Sequence, residues 1–237
     1  SHDLRSPLHA IIGGSDILKR QNLPDESKNI LEYIRIAGNN LLEQVDTILA
    51  YSKLEAGMLT LKDKTYSFYE MIEEQARLCL LNIREKDIVF TVRFLDRFPE
   101  QVSGDYLRVA QIFQNILSNA CKFTEQGTIT LSLHCKMEEG QVWFDGCVED
   151  TGVGMTKEKL AQVFAEYVSF SEDMGVEGFG LGLSIVRQLV EMMHGWVRAE
   201  SDPGKGTRVS FGFYQKQVMA EISEPRNIGR EILKEQN

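Results

Sequence analysis

The sequence predicts an α+β chain in which a helical hairpin is followed by an α/β sandwich domain. Two apolar stripes, each with steps of three or four residues, run through residues 1–60 and indicate two long helices. Residues 64–215 combine strand-like segments, most of them paired as hairpins, with shorter amphipathic helices, which favours helices packed on one face of a mixed sheet. Residues 216–237 are charged and contain Pro225 and Gly229, so we expect a linker or tail there.

Composition and charge are those of a globular protein, and they argue against a nucleic-acid-binding surface and against a membrane-spanning segment. Hydrophobic residues make up 43% and charged residues 26% of the chain. The net charge of −9 argues against nucleic-acid binding, which requires a basic stripe. No apolar run reaches the ~20 residues that span a membrane, and the polar opening SHDLRS is unlike a signal peptide. The four cysteines lie in apolar segments without CxxC spacing, so we expect reduced, buried thiols.

The helical hairpin is defined by its two stripes. The first consists of Leu4, Leu8, Ile11, Ile12, Ser15 and Leu18. The second consists of Ile30, Ile34, Ala37, Leu41, Val45, Ile48 and Ser52. Between them Asn22–Asp25 breaks the helix, with Asp25 placed to cap the second helix, and Gly57 offers a stop. Because a two-helix hairpin cannot bury both stripes alone, we expect a homodimer that forms a four-helix bundle.

Helices of the second domain have recognisable end signals. A capping box begins at Ser67, and Asp105 is placed to cap the helix predicted over Arg108–Thr124. A further helix is predicted over Leu183–His194, where Gly195 is the candidate C-cap.

The helix over Arg108–Thr124 has a polar face suited to a magnesium nucleotide. Asn115 and Asn119 are four residues apart and project from one side, with Lys122 a turn further on. Two amide oxygens beside a cation can hold Mg²⁺ and polyphosphate, and one amide oxygen suffices when water and phosphate fill the other ligand positions. From the spacing alone, these residues could equally form the ordinary solvent-exposed face of an amphipathic helix.

Three glycine-containing segments add to this pattern. Asp150, in the segment EDTGVGM, can accept a hydrogen bond from an exocyclic amine such as that of adenine, although a tight turn also fits. The segment GFGLG over Gly178–Gly182 opens a helix, as phosphate-binding loops do, but it is neither a Walker A sequence nor a dinucleotide fingerprint. The glycines of GKGT, over Gly204–Thr207, fit a hairpin turn equally well.

In combination these motifs resemble the GHKL ATP-binding fold. The order NxxxNxxK, DxGxG, GxGxGL and GxGT, together with SHDLRSP at the start, is similar to a sensor histidine kinase core over residues 1 to about 215. The resemblance implies ATP and Mg²⁺ as cofactors, a homodimer, and a response-regulator receiver domain as partner, in cis or in trans. Hybrid members of the family carry a receiver downstream of the core. We therefore expect the cytoplasmic portion of a longer protein, with membrane anchoring of the parent left open.

Individual residues take their expected roles from this resemblance. His2 corresponds to the catalytic phosphoacceptor and Asp3 to its acidic partner. Asn115 corresponds to a metal ligand in the NxxxNxxK motif, which binds Mg²⁺ and the phosphates in this family. Asp150 corresponds to the carboxylate that binds the adenine amino group. Phe164 corresponds to the phenylalanine that opens the ATP lid. The other implied ATP-binding positions are Asn119, Lys122, Gly152, Gly154, Gly178, Gly180, Gly182, Leu183 and Thr207.

The predicted reaction is transfer of the γ-phosphoryl group of Mg-ATP to His2, and from there to an aspartate of a receiver domain. A neutral imidazole, with a pKa near ~6.5, is a nucleophile at physiological pH. Asp3 can accept the Nδ1 proton, which leaves Nε2 to attack. Two alternatives remain: a nucleotide-binding regulatory domain without phosphotransfer, and a GHKL ATPase of the topoisomerase or mismatch-repair type, which lacks a phosphoacceptor helix.

Three features depart from the family pattern. Ser6 stands where Thr or Asn is usual, which puts phosphatase activity in doubt. The lid over Ala165–Glu177 has Tyr167 in place of a second phenylalanine and contains no Lys or Arg, so we expect it to be mobile without nucleotide. Because His2 lies in the first helical turn, where helices fray, we expect this fragment to bind ATP better than it autophosphorylates.

Overall fold

The structure, a computed structural model, divides into two compact units, Ser1–Leu59 and Thr60–Asn237. It describes residues 2–21, 23–165, 180–218, 222–223 and 227–228. None of the helices formed by those residues has both the length and the apolarity needed to cross a bilayer.

The first unit consists of α1 (His2–Lys19) and α2 (Asp25–Glu55). The N-cap of α2 is Pro24, without a side-chain cap bond, so the prediction that Asp25 caps this helix is wrong. Asp25 is instead the first helical residue, where its negative charge interacts favourably with the positive end of the helix dipole. The helix ends just ahead of Gly57, whose N–H donates to Leu54 O, in agreement with the predicted stop.

Packing within the hairpin is close but leaves apolar surface uncovered. A Cβ added to Gly38 would lie 2.9 Å from Ile12 Cγ1, so only glycine lets the two helices approach at this level. Lys19 Nζ lies 2.6 Å from Glu32 Oε2 and links α1 to α2. Exposed aliphatic side chains remain at Ile11, Ile17, Leu18, Ile30, Ile34, Ile36, Leu41 and Ile48. The hairpin therefore does not bury both of its stripes by itself, as the heptad-like spacing predicts.

The second unit is an α/β sandwich. Its strands are β1 (Lys64–Tyr66), β2 (Asp87–Phe94), β3 (Phe98–Pro99), β4 (Val102–Gly104), β5 (Gln126–Glu138), β6 (Gln141–Asp150), β7 (Trp196–Asp202), β8 (Gly206–Gln217), β9 (Ile222–Ser223) and β10 (Asn227–Ile228). Its helices are α3 (Phe68–Asn82), α4 (Tyr106–Phe123), α5 (Lys157–Ala161) and α6 (Gly182–Met192). Among the described residues, the main sheet has the order β1-β4-β8-β6-β5-β2-β10, with β7 also on β8. The β2–β5 pair is parallel and the others are antiparallel, which confirms the mixed sheet.

Aromatic side chains fill the core between the helices and the sheet. The Phe68 ring on α3 stacks on Phe144 of β6 with centroids 4.1 Å apart. Phe113 on α4 meets Phe211 of β8 edge-to-face at 5.2 Å. Burial alternates along β2 and β6, so one face of the sheet carries the core.

In the second unit, two predicted N-caps are confirmed and the predicted C-cap at Gly195 is wrong. The Ser67 and Asp105 side chains accept the N–H groups of Glu70 and Arg108, as helix caps do. At the end of α6, however, His194 and not Gly195 adopts a positive φ, of 56°. Gly195 has a different role, because a Cβ there would lie 2.0 Å from Gly212 O.

Parts of the segment 216–237, for which the sequence predicts a linker or tail, form β-strands. The strand β8 continues to Gln217, and β9 pairs with β3. The strand β10 pairs with β2, Asn227 lying opposite Arg93. These stretches take part in the sheets of the second unit, although their composition resembles that of a tail.

Candidate nucleotide-binding site

The polar face of α4 forms one wall of the candidate site. Asp105 caps this helix, and its apolar face, which includes Ile112 and Ile116, is buried against the sheet. Asn115 and Asn119 are half-buried on the other side. The Asn115 Nδ2 atom is buried without a hydrogen-bond partner, an arrangement that is costly unless a ligand or water accepts from it.

The start of α6 lies next to Asn115. A Cβ added to Gly182, the first residue of α6, would lie 3.7 Å from Asn115 Oδ1. Leu181 precedes the helix and provides no side-chain cap, so the first N–H groups of α6 lack a side-chain acceptor. Gly180 has a positive φ of 67°, and Leu183 is half-buried in the first turn. Uncapped helix N–H groups beside an amide are suited to bind phosphate.

Asp150 lies at the end of β6, where its carboxylate is held by backbone groups. Its Oδ1 accepts the N–H of Gly152 at 2.9 Å and the N–H of Thr207, its neighbour on β8, at 3.2 Å. Burial raises the pKa of Asp150, and these two hydrogen bonds act in the opposite direction. The Thr124 hydroxyl also helps to lower this pKa, although its geometry falls short of a full hydrogen bond.

Close backbone packing explains the glycines that follow Asp150. A Cβ at Gly152 would lie 2.2 Å from Phe123 O, at the end of α4. Gly154, with a φ of 65°, would place a Cβ 2.0 Å from Asp202 O, where β7 enters the β7–β8 turn. The loop after β6 is therefore packed against both α4 and that turn.

Comparisons with known proteins agree with this arrangement. Residues 104–217 match the family of histidine kinase-, DNA gyrase B- and HSP90-like ATPases. Residues 1–57 match the His Kinase A (phospho-acceptor) domain. The chain therefore belongs to the sensor histidine kinase family. Its ATPase-family domain contains both the polar face of α4 and the Asp150 loop.

Relatives of this kinase core are large signalling proteins. It is 36% identical over 216 residues to hybrid signal transduction histidine kinase B of Dictyostelium discoideum, covering 89% of the chain and 11% of the relative. It is 30% identical to the aerobic respiration control sensor protein ArcB of Escherichia coli, covering 94% of the chain and 29% of that protein. The crystal structure of full-length ShkA in complex with AMPPNP matches with a TM-score of 0.75 and 28% identity, over 92% of this chain and 45% of that one. The kinase core thus spans less than half of each.

The structure describes the other expected site residues only in part. His2 and Asp3 lie in the first turn of α1, where the structure describes the backbone and not the side chains. Phe164 is half-buried after α5, which Thr156 caps. Gly178 and residues 166–177 of the predicted lid, including Tyr167, lie outside the described residues, so the expected lid mobility stays a prediction.

Sequence patterns missed one organising residue of this site. Ser201 Oγ accepts the N–H of Met155 at 2.8 Å, donates to Gly206 O at 2.7 Å and lies 3.0 Å from Thr207 Oγ1. It therefore ties the Asp150 loop to the β7–β8 turn. The one available signal was its place opposite Thr207 in the predicted hairpin.

Proposed function

We propose that this chain is the catalytic core of a two-component histidine kinase, which transfers the γ-phosphoryl group of Mg-ATP to His2 and then to an aspartate of a receiver domain. The observation that carries the proposal is the position of α4. Near its middle Asn115 faces the start of α6, and at its end Phe123 supports the Asp150 loop. One helix thus contacts both the proposed phosphate-binding region and the proposed adenine-binding region.

Adenine selection is assigned to Asp150. Both backbone N–H groups that bind this carboxylate donate to Oδ1. We assign Oδ2 as the acceptor of the adenine amino group, because an ionised carboxylate only accepts hydrogen bonds. Thr207, half-buried and held by Ser201, lies beside it.

The phosphates are assigned to α4 and the start of α6. Asn115 fits a magnesium nucleotide, because its Oδ1 can bind the metal while the unpartnered Nδ2 donates to a phosphate oxygen. Bound Mg²⁺ supplies charge that offsets the developing negative charge on the transferred group. Asn119 and Lys122 lie on the same helix, and the N–H groups at Gly182 and Leu183 face the same region.

His2 is the proposed nucleophile and Asp3 the residue that holds the imidazole Nδ1 proton. The Nε2–phosphorus bond forms as the bond from phosphorus to the bridging oxygen breaks, and ADP leaves with that electron pair. We propose that two copies pair through the uncovered apolar side chains of α1 and α2, because these hairpins bury their stripes in four-helix bundles.

The test is label transfer from γ-labelled ATP with Mg²⁺ to the wild type, His2→Gln and Asn119→Asp, with His9→Gln as the matched control on the same helix. We expect acid-labile, alkali-stable label in the wild type and in His9→Gln, and none in the other two. ATP binding without label in the wild type would leave a nucleotide-binding regulatory domain. ATP turnover without label would favour a GHKL ATPase.

A further inference from the structure

Lys86, in the turn between α3 and β2, makes an unusual set of contacts at the end of α4. Its Nζ donates to Cys121 O at 2.9 Å, to Thr124 O at 3.0 Å and to Glu125 Oε1 at 2.9 Å. An ammonium group has three N–H donors, so each has an acceptor. The Lys86 side chain is 23% exposed, and it reaches α4 from a different part of the chain.

Of these three contacts, the two with carbonyl groups are structurally important. Glu125 is 80% exposed, and ion pairs with such side chains contribute little. The carbonyls of Cys121 and Thr124 lie at the C-terminal end of α4, where carbonyls lack intrahelical partners and a positive charge is favourable. Lys86 therefore fixes the path of the chain as it leaves α4.

Phe123 and Thr124, at this end of α4, support the proposed adenine-binding region. Phe123 O accepts the N–H of Val153 at 3.2 Å, and a Cβ at Gly152 would lie 2.2 Å from the same oxygen. Thr124 is fully buried, with its hydroxyl beside the Asp150 carboxylate. A small movement of the end of α4 would displace this oxygen and this hydroxyl together.

We propose that Lys86 is a positioning residue of the nucleotide site. It holds the end of α4 so that Phe123 O and the Thr124 side chain keep the Asp150 loop in the conformation that reads adenine. This inference rests on the proposed ATP binding and extends it to a residue that does not touch the nucleotide. If Lys86 only stabilised the helix end, its loss would lower stability and leave the nucleotide preference of the folded protein unchanged.

The test compares Lys86→Met, which keeps the aliphatic stem and removes the donors, with Lys86→Arg, which keeps a charged donor. Glu125→Gln is the matched control, because it removes the ion pair and keeps both carbonyl contacts. Dissociation constants for non-hydrolysable ATP and GTP analogues are measured at a temperature where melting curves show each variant folded. We expect Lys86→Met to weaken ATP binding about tenfold, because the freed end of α4 must then be ordered when the nucleotide binds. The preference for ATP over GTP should also fall, Lys86→Arg should restore part of both, and Glu125→Gln should match the wild type.

Each outcome separates the two proposals. If the wild type binds neither analogue, the proposed function fails. If the wild type binds ATP and folded Lys86→Met has the same affinity and the same preference for ATP, Lys86 only caps the helix and the inference is wrong. Should Lys86→Met not fold, Lys86→Gln, which keeps a neutral donor, takes its place with the same two outcomes.

Discussion

The substitution Asp150→Asn separates nucleotide recognition from stability. Gly152 and Thr207 both donate backbone N–H groups to Oδ1, so an asparagine must place its carbonyl oxygen there. Its amide nitrogen then takes the position of Oδ2 and, in the proposed ATP complex, presents a donor to the adenine amino group. Loss of a charge-assisted hydrogen bond and the facing of two donors together cost about 3–5 kcal/mol, which is more than ~10²-fold in ATP affinity.

The stability of the unliganded protein is expected to respond differently. The pKa of Asp150 is raised above its ordinary value of 3.8, with burial as the main cause, so ionisation of this group opposes folding. That penalty is absent below the ordinary pKa and grows as pH rises through the folded pKa. At neutral pH Asp150→Asn removes it, so the melting temperature of the variant should not fall.

Titration with a fluorescent ATP analogue and thermal melts at pH 7 measure both effects. Asp96→Asn is the matched control. Although burial pushes the pKa of Asp96 up, the Cys135 N–H and the His134 ring push it further down, so its ionised form is stabilised by folding. This variant should lose stability and keep ATP affinity. Near wild-type ATP binding by Asp150→Asn would refute the assignment of Oδ2 to adenine. A clear drop in its melting temperature would refute the conclusion that ionisation of Asp150 opposes folding.

Three further predictions concern packing and assembly. Gly152→Ala should lower both the melting temperature and ATP affinity, because its Cβ overlaps Phe123 O at 2.2 Å. Ile34→Glu should convert a dimer to monomers in light scattering and abolish label transfer, because it charges the uncovered stripe of α2. Cys79 and Cys121, whose sulfur atoms lie 2.8 Å apart in the core, should not react with a thiol reagent until the protein unfolds.

Controls for these predictions come from the same chain. Gly13→Ala has no atom within 4 Å of the new Cβ and should not destabilise the protein. Tyr33→Glu changes a side chain that is 72% exposed and off the stripe, so the dimer should persist. Three outcomes would contradict these predictions. Wild-type ATP affinity in Gly152→Ala would contradict the role of the Gly152–Phe123 contact, and a dimer in Ile34→Glu would contradict pairing through the stripe of α2. Rapid labelling of Cys79 in the native protein would contradict its burial.

Local signals predicted the parts of the fold that depend on neighbouring residues. The Asp105 and Ser67 caps and the polar face of α4 follow from spacings of three or four residues, which sequence displays directly. The strand β1 could not be predicted in this way, because three residues carry no periodicity and its partner, β4, lies far along the chain.

The same distinction applies to the candidate site. Asp150 and its glycines are recognisable because the functions proposed for them need particular residue types at short spacing. Lys86 and Ser201 are ordinary polar residues in turns or strands, and they become important only through contacts with distant segments. The positive φ of His194 was missed for another reason. Glycine is the residue type expected to adopt a positive φ at a helix end, but here the glycine is needed at position 195, where it packs against Gly212 O, and His194 adopts the positive φ instead.

The pairing of β10 with β2 has a consequence for synthesis of the chain. Asn227 and Ile228 cover part of the outer edge of β2, whose inner edge pairs in parallel with β5. Until these late residues leave the ribosome, that edge presents unpaired N–H and C=O groups, which can recruit strands from other nascent chains. Because β10 follows β2 in the chain, its synthesis limits how early in translation this part of the sheet edge is protected from aggregation.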